Sequence, residues 1–107
     1  MKEQLFQRIE DQKETLWKMA DFIFDHPEYE GKEYQAAGLL SNYLEKNGFS
    51  VERGIAGYET AFRAVYENGT GGPSIGILCE YDALRGLGHG CGHHMQGPCL
   101  AGAALAI

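Results

Sequence analysis

Three histidines and one cysteine lie within six residues of each other in the segment GHGCGHHMQG, near the end of the sequence. Cys91 and His93 are separated by a single glycine, and a turn at that glycine lets both side chains face one point. A thiolate and an imidazole are good ligands for zinc and for neighbouring divalent metals. The spacing therefore makes Cys91 and His93 candidate metal ligands, with His89 and His94 as further candidates, although a lone cysteine or histidine more often has a structural role.

Two carboxylates, Glu80 and Asp82, precede this segment and are also candidates for the site. A carboxylate at this place can ligate a metal, or it can orient a ligating histidine through a hydrogen bond. Both residues can equally end the preceding strand in solvent, and His89 and His94 can be solvated loop residues. Since zinc takes about four ligands, the cysteine–histidine pair alone does not complete a site.

The candidate residues lie between a predicted strand and a predicted helix. Residues 74–80, SIGILCE, form a near-continuous apolar run, which favours a strand buried on both faces of an α/β sheet. Residues 94–107 are rich in alanine and leucine and are predicted to form a helix. Open α/β sheets bind ligands at the carboxyl ends of their strands, and a helix N-terminus helps to keep Cys91 as a thiolate.

The first half of the sequence must supply the elements that support this region. Apolar residues at helical spacing predict helices over 3–25 and 33–46, and an Asn-Gly pair suits the end of the second helix. Short strands are predicted over 49–55 and 60–66. The predicted fold class is therefore α/β, with N-terminal helices, strands of a mixed sheet and a buried helix.

The last predicted helix ends in AGAALAI, without a cap, a polar face or a stop signal. A helix that is apolar all round is typical of the interior of a larger protein. We therefore expect residues 1–107 to be the N-terminal part of a truncated domain, although a short terminal helix docked in this domain's own core is the alternative. Uncovered apolar faces on this helix predict self-association, and we expect a homo-oligomer.

Composition excludes several classes of partner. The net charge is −6 and the nine lysines and arginines are scattered, which argues against nucleic acid or an anionic membrane surface. No apolar run approaches the roughly 20 residues of a membrane span, and the first residues do not resemble a secretory signal. Three cysteines without framework spacing indicate free or metal-bound thiols in a reducing compartment, so we expect a cytoplasmic protein.

Two motifs carry a resemblance to a known family. GILCEYDAL (76–84) and GLGHGCGHHMQG (86–97) resemble the amidohydrolase branch of the co-catalytic zinc aminopeptidases and carboxypeptidases, which includes aminobenzoyl-glutamate hydrolases. Residues 26–49 are similar to the opening helices of that family. The resemblance implies an α/β catalytic domain with one or two divalent ions, zinc or manganese, and a lid domain that mediates dimerisation. It also implies hydrolysis of amide bonds in N-acyl amino acids or short peptides.

The resemblance assigns roles to individual residues. By motif match, Cys91 and His93 are metal ligands, and Asp82 is the aspartate that orients the metal site. Glu80 occupies the place where peptidase relatives carry a ligating histidine, so its role is open. His94 stands where aspartate or asparagine is frequent, which can alter metal preference. Arg85 stands where proline is frequent, and neither departure removes a ligand.

Three hypotheses follow. In the first, the chain is the N-terminal part of a metal-dependent amidohydrolase and is inactive alone, since the family's general base and remaining ligands would lie beyond residue 107. In the second, it is a non-catalytic short protein that binds a metal or a partner. In the third, it is a small redox or structural domain in which the cysteines pair.

Overall fold

The computed structural model describes all 107 residues, which form three α-helices and one β-hairpin, with a short 3₁₀-helix (Ile55–Gly57) between the two strands. The elements in chain order are α1 (Lys2–Asp25), α2 (Tyr34–Lys46), β1 (Ser50–Arg53), β2 (Phe62–Val65) and α3 (His93–Ala106). The α/β class and the three predicted helices are confirmed. The sheet is not mixed, because β1 and β2 pair only with each other, in antiparallel register.

The core is formed where α1, α2 and α3 meet, and the hairpin packs against it with partly buried residues. Ile23 and Leu40 are each 1% exposed and lie at its centre. The predicted end of α2 is confirmed: Gly48 adopts φ +96°, and the Phe49 N–H donates to the Leu44 carbonyl at 3.1 Å. The buried residues of this cluster are Met19, Ile23, Ala36, Leu40, Tyr43, Leu44, Tyr81 and Ala101.

Helix α3 packs against α1 and α2 through residues that lack bulky side chains. A Cβ atom on Gly97 would lie 2.6 Å from Leu40 Cδ1, and one on Gly102 would lie 2.7 Å from Leu16 Cδ1. The opposite side of α3 is open, with Met95 58% exposed. The predicted buried helix is therefore buried along one side only, because α1 and α2 cover only that side.

The strand predicted over 74–80 is not formed, and this prediction is wrong. Its apolar side chains face solvent, with Ile75 72% and Leu78 91% exposed. A strand needs a neighbour whose backbone groups pair with its own. The hairpin pairs only with itself, so the apolar run has the composition of a buried strand without a strand beside it.

None of the three helices is both long enough and apolar enough to cross a membrane.

Candidate functional site

The structure brings together three of the predicted site residues around the imidazole of His93, the first residue of α3. His93 Nδ1 lies 2.8 Å from Asp82 Oδ1 and 3.1 Å from the Asp82 carbonyl oxygen. Both of these atoms are acceptors, so Nδ1 carries the proton and donates it. This hydrogen bond fixes the ring and leaves Nε2 as the nitrogen that is free to bind a ligand.

Glu80 faces the other nitrogen of the same ring. Its Oε2 lies 3.3 Å from His93 Nε2, while its side chain remains 70% exposed. Two ligand atoms of a tetrahedral zinc ion are separated by roughly 3.3 Å, since each bond is about 2.0–2.1 Å long. The donor types and spacing of this pair therefore fit two ligands of one divalent cation, with Asp82 holding the histidine from behind.

The segment that carries both carboxylates is fixed by hydrogen bonds, although it is not a strand. The buried Tyr81 hydroxyl donates to the Thr60 carbonyl. Burial raises the pKa of Tyr81 to about 12, with Glu33 and Cys79 adding to the shift, so the hydroxyl stays protonated as a donor. The Tyr81 side chain therefore ties the segment to the residues that precede β2.

Glu28 holds the same segment from the loop before α2. The Ala83 N–H donates to the Glu28 carbonyl at 2.6 Å. The Glu28 carboxylate also accepts the N–H groups of Gln35 and Ala36, both at 2.9 Å, in the first turn of α2. One residue thus caps α2 and supports the end of the carboxylate segment. Its side chain also carries charge of the sign that a helix N-terminus favours.

Gln96 contacts the candidate site, but the sequence analysis did not identify it. Its side-chain Oε1 accepts the Glu80 N–H at 2.9 Å and so joins the carboxylate segment to α3. A glutamine in an apolar helix, three residues after the candidate ligand His93, was the signal available in the sequence.

Cys91 is exposed, and no group of three or more histidine, cysteine, aspartate or glutamate side chains is placed to hold a metal ion together. The turn predicted at the following glycine is present, because Gly92 adopts φ +91°. The arrangement is therefore part of a ligand set: the His93–Glu80 pair, with Cys91 nearby in sequence.

His89 and His94 form a separate pair. Their ring centroids lie 5.5 Å apart, and His94 also contacts the Phe24 ring edge-on. His89 is 5% exposed, so a solvated loop position is wrong for it, and neither of its ring nitrogens has a hydrogen-bond partner. Burial, followed by the neighbouring His94 and His93, lowers the pKa of His89, which favours the neutral ring.

All three cysteines are free, which contradicts the hypothesis of a domain with paired cysteines. Cys79 is half-buried and Cys99 is exposed on α3. Cys79 packs partly against the core, whereas Cys99 lies on the side of α3 that no other element covers.

Comparison with known proteins identifies relatives of this chain. No family model matches the chain. The chain is 37% identical over 116 residues to a subunit of the p-aminobenzoyl-glutamate hydrolase of Escherichia coli, covering 92% of the chain and 24% of that protein. It is 33% identical over 110 residues to the Xaa-Arg dipeptidase of Homo sapiens, covering 92% and 25% respectively.

A third relative is the thermostable carboxypeptidase 2 of Saccharolobus solfataricus, at 28% identity over 99 residues, covering 79% of the chain and 25% of that protein. The chain thus spans about a quarter of the length of the curated relatives that it matches.

Proposed function

We propose that this chain, which belongs to the amidohydrolase and peptidase family of these relatives, supplies part of the active site of a metal-dependent hydrolase. The hydrolase would cleave amide bonds in N-acyl amino acids or short peptides, which is the reaction that the names of the relatives indicate. The observation that carries the proposal is the His93 ring held between Asp82 and Glu80, at 2.8 Å and 3.3 Å.

In this proposal His93 Nε2 and Glu80 Oε2 hold a divalent cation, zinc or manganese, and Cys91 is the third candidate ligand. Because zinc takes about four ligands, others must come from outside this set, and a second ion would need more. A bound metal lowers the pKa of a water molecule to about 7 and polarises the carbonyl to be cleaved. We assign no ligand role to His89 and His94, which pack against each other.

The residues of this chain then have separate tasks. Asp82 accepts the Nδ1 proton of His93, which fixes the tautomer and makes Nε2 a better ligand. Helix α3 provides a rigid base for His93, because its small residues seat it closely on α1 and α2. Glu80 adds a negative charge beside Nε2 on the exposed side of the ring, where a cation and a substrate can approach.

Calorimetric titration of the metal-free chain with Zn²⁺ tests the ligand roles. We expect binding in the wild type and its loss in His93→Ala. Asp82→Asn should weaken binding about 10- to 100-fold, the usual cost of losing the partner of a ligating histidine. His26→Ala is the matched control, since His26 is an exposed histidine at the end of α1. Binding that is equal in His93→Ala and the wild type would contradict the proposal.

A chimera tests the activity. Residues 1–107 would replace the matching quarter of the human Xaa-Arg dipeptidase, and release of arginine from an Xaa-Arg dipeptide would be measured with and without a chelator. We expect no turnover by the chain alone, chelator-sensitive turnover by the chimera, and none when the chimera carries His93→Ala. A folded chimera that binds Zn²⁺ without turnover would favour the non-catalytic metal-binding alternative.

A further inference from the structure

Among Glu80, Asp82 and His93, Glu80 has the most exposed side chain. Its side chain is 70% exposed, and the segment around it belongs to no strand. Its carboxylate nevertheless faces His93 Nε2 at 3.3 Å. An exposed glutamate on an unpaired segment has many accessible conformations unless a contact restricts its backbone.

The contact is made by Gln96. The Glu80 N–H donates to Gln96 Oε1 at 2.9 Å, across 16 residues of sequence. An N–H group needs an acceptor, so the side-chain oxygen rather than the nitrogen of Gln96 must face it. This hydrogen bond joins Glu80 to the same helix that carries the candidate ligand His93.

The position of Gln96 on α3 places this hydrogen bond close to the candidate ligand His93. Gln96 follows His93 by three residues, so both side chains lie on one face of the helix, a turn apart. His93 contacts Asp82, and Gln96 holds Glu80, two residues earlier in the segment. One face of α3 therefore contacts residues 80–82 at two points. These two contacts set the distance between this segment and the His93 ring.

We propose that Gln96 is a positioning residue for the metal site. Its side-chain carbonyl holds the Glu80 backbone so that the Glu80 carboxylate and His93 Nε2 face one divalent cation. This inference rests on the proposed metal-binding function and deepens it. Without the hydrogen bond, Glu80 spends less time facing the ring, and the apparent dissociation constant rises by the inverse of the fraction that remains competent.

Zn²⁺ titration of the full chain with substitutions at Gln96 tests the proposal. Gln96→Leu removes the acceptor at similar size and should raise the Kd about 2- to 10-fold, the range that one net hydrogen bond supports. Gln96→Glu keeps an acceptor oxygen and should restore the wild-type Kd or a lower one. Gln4→Leu, on the exposed start of α1, is the matched control and should leave the Kd unchanged.

A double-mutant cycle separates positioning from a general loss of structure. If Gln96 acts through the Glu80 carboxylate, Gln96→Leu should have no further effect on the Kd in a Glu80→Gln background. An effect of equal size in both backgrounds would overturn the proposal, and so would a wild-type Kd in Gln96→Leu.

The hydrogen bond also has a readout that needs no metal. In NMR exchange measurements, the Glu80 amide proton should be protected in the wild type and in Gln96→Glu, and unprotected in Gln96→Leu. If the wild type binds no Zn²⁺, the proposed function fails, while the exchange pattern still decides whether Gln96 holds Glu80. An unprotected Glu80 amide in the wild type would overturn the positioning role itself.

Discussion

Residues 34–65 and residues 67–92 differ in how their backbone N–H and C=O groups are paired. The first region pairs its backbone within α2 and the hairpin and presents apolar side chains to a shared core. The second region has no helix or strand and one isolated bridge between Leu84 and Gly88. Its carboxylate segment is held by side chains and carbonyls of other elements. Regular structure therefore supports the core, whereas single hydrogen bonds set the geometry of the candidate site.

This contrast separates stability from site geometry. A change at a buried position of the first region acts on the core that the helices share, so it should change the free energy of unfolding. A change at an exposed position of the second region removes few contacts and should change it little. Paired substitutions in the two regions test that separation, beginning with the one that should cost most.

The largest effect is expected at the centre of the core. Leu40→Ala removes a side chain that is 1% exposed and leaves a cavity between α2 and α3, so we expect a loss of about 2–5 kcal/mol in the free energy of unfolding. Leu78→Ala removes the same atoms at a position that is 91% exposed and should change the value by no more than about 0.5 kcal/mol. Urea denaturation measures both, and equal losses would break the comparison.

Two glycines repeat the comparison with an added side chain. Gly97→Val places a Cβ atom 2.6 Å from Leu40 Cδ1 in a packed interface, and overpacking of this kind costs about 1–3 kcal/mol. Gly76→Val adds the same atoms where no atom lies within 4 Å, and should be nearly neutral. The cost of Gly97→Val should fall in a Leu40→Ala background, where the cavity accepts the new side chain. An unchanged cost in that background would show that the two residues do not share the space.

The sequence predicted the helices and the second region with unequal success, for a physical reason. Helical periodicity and the Asn-Gly cap are local signals, and α1, α2 and α3 follow them closely. The apolar run at 74–80 signals burial, but a strand also needs a neighbour, which a single segment does not specify. Local pattern therefore determined the helices and left the surroundings of the apolar run undetermined.

The candidate site divides in the same way. Residue types and spacing identified Glu80, Asp82 and His93, which the structure brings together. Spacing did not reveal which carboxylate faces which ring nitrogen, because that depends on how the segment lies against α3. Gln96 was not identified, because a glutamine in an apolar helix indicates a polar contact but does not indicate its partner, which here is the Glu80 backbone.

A smaller effect is expected where the two regions meet. Tyr81→Phe removes the hydroxyl that donates to the Thr60 carbonyl, while the ring can still pack on Phe62. Loss of one buried hydrogen bond should cost about 1–2 kcal/mol, because the carbonyl is left without its donor. Tyr58→Phe is the control, since Tyr58 is 65% exposed. Thermal and urea unfolding measure the difference, and no loss in Tyr81→Phe would mean that water replaces the bond without penalty.

The smallest effect on folding should accompany a clear effect on association. Ile75, Leu78 and Leu87 are all more than half exposed in the second region, and apolar residues left uncovered in this way favour contact between copies of the chain. Leu78→Lys should leave the free energy of unfolding within about 0.5 kcal/mol of the wild type, because it disturbs no packed contact. It should also reduce self-association at high concentration, measured by light scattering, because the new charge must lose water when the surface is covered.

Gln4→Lys, on the exposed start of α1, adds the same charge away from these residues and should leave association unchanged. A wild-type chain that stays monomeric under these conditions would show that the exposed run of the second region is tolerated in water, and the expected homo-oligomer would then have no basis in this surface.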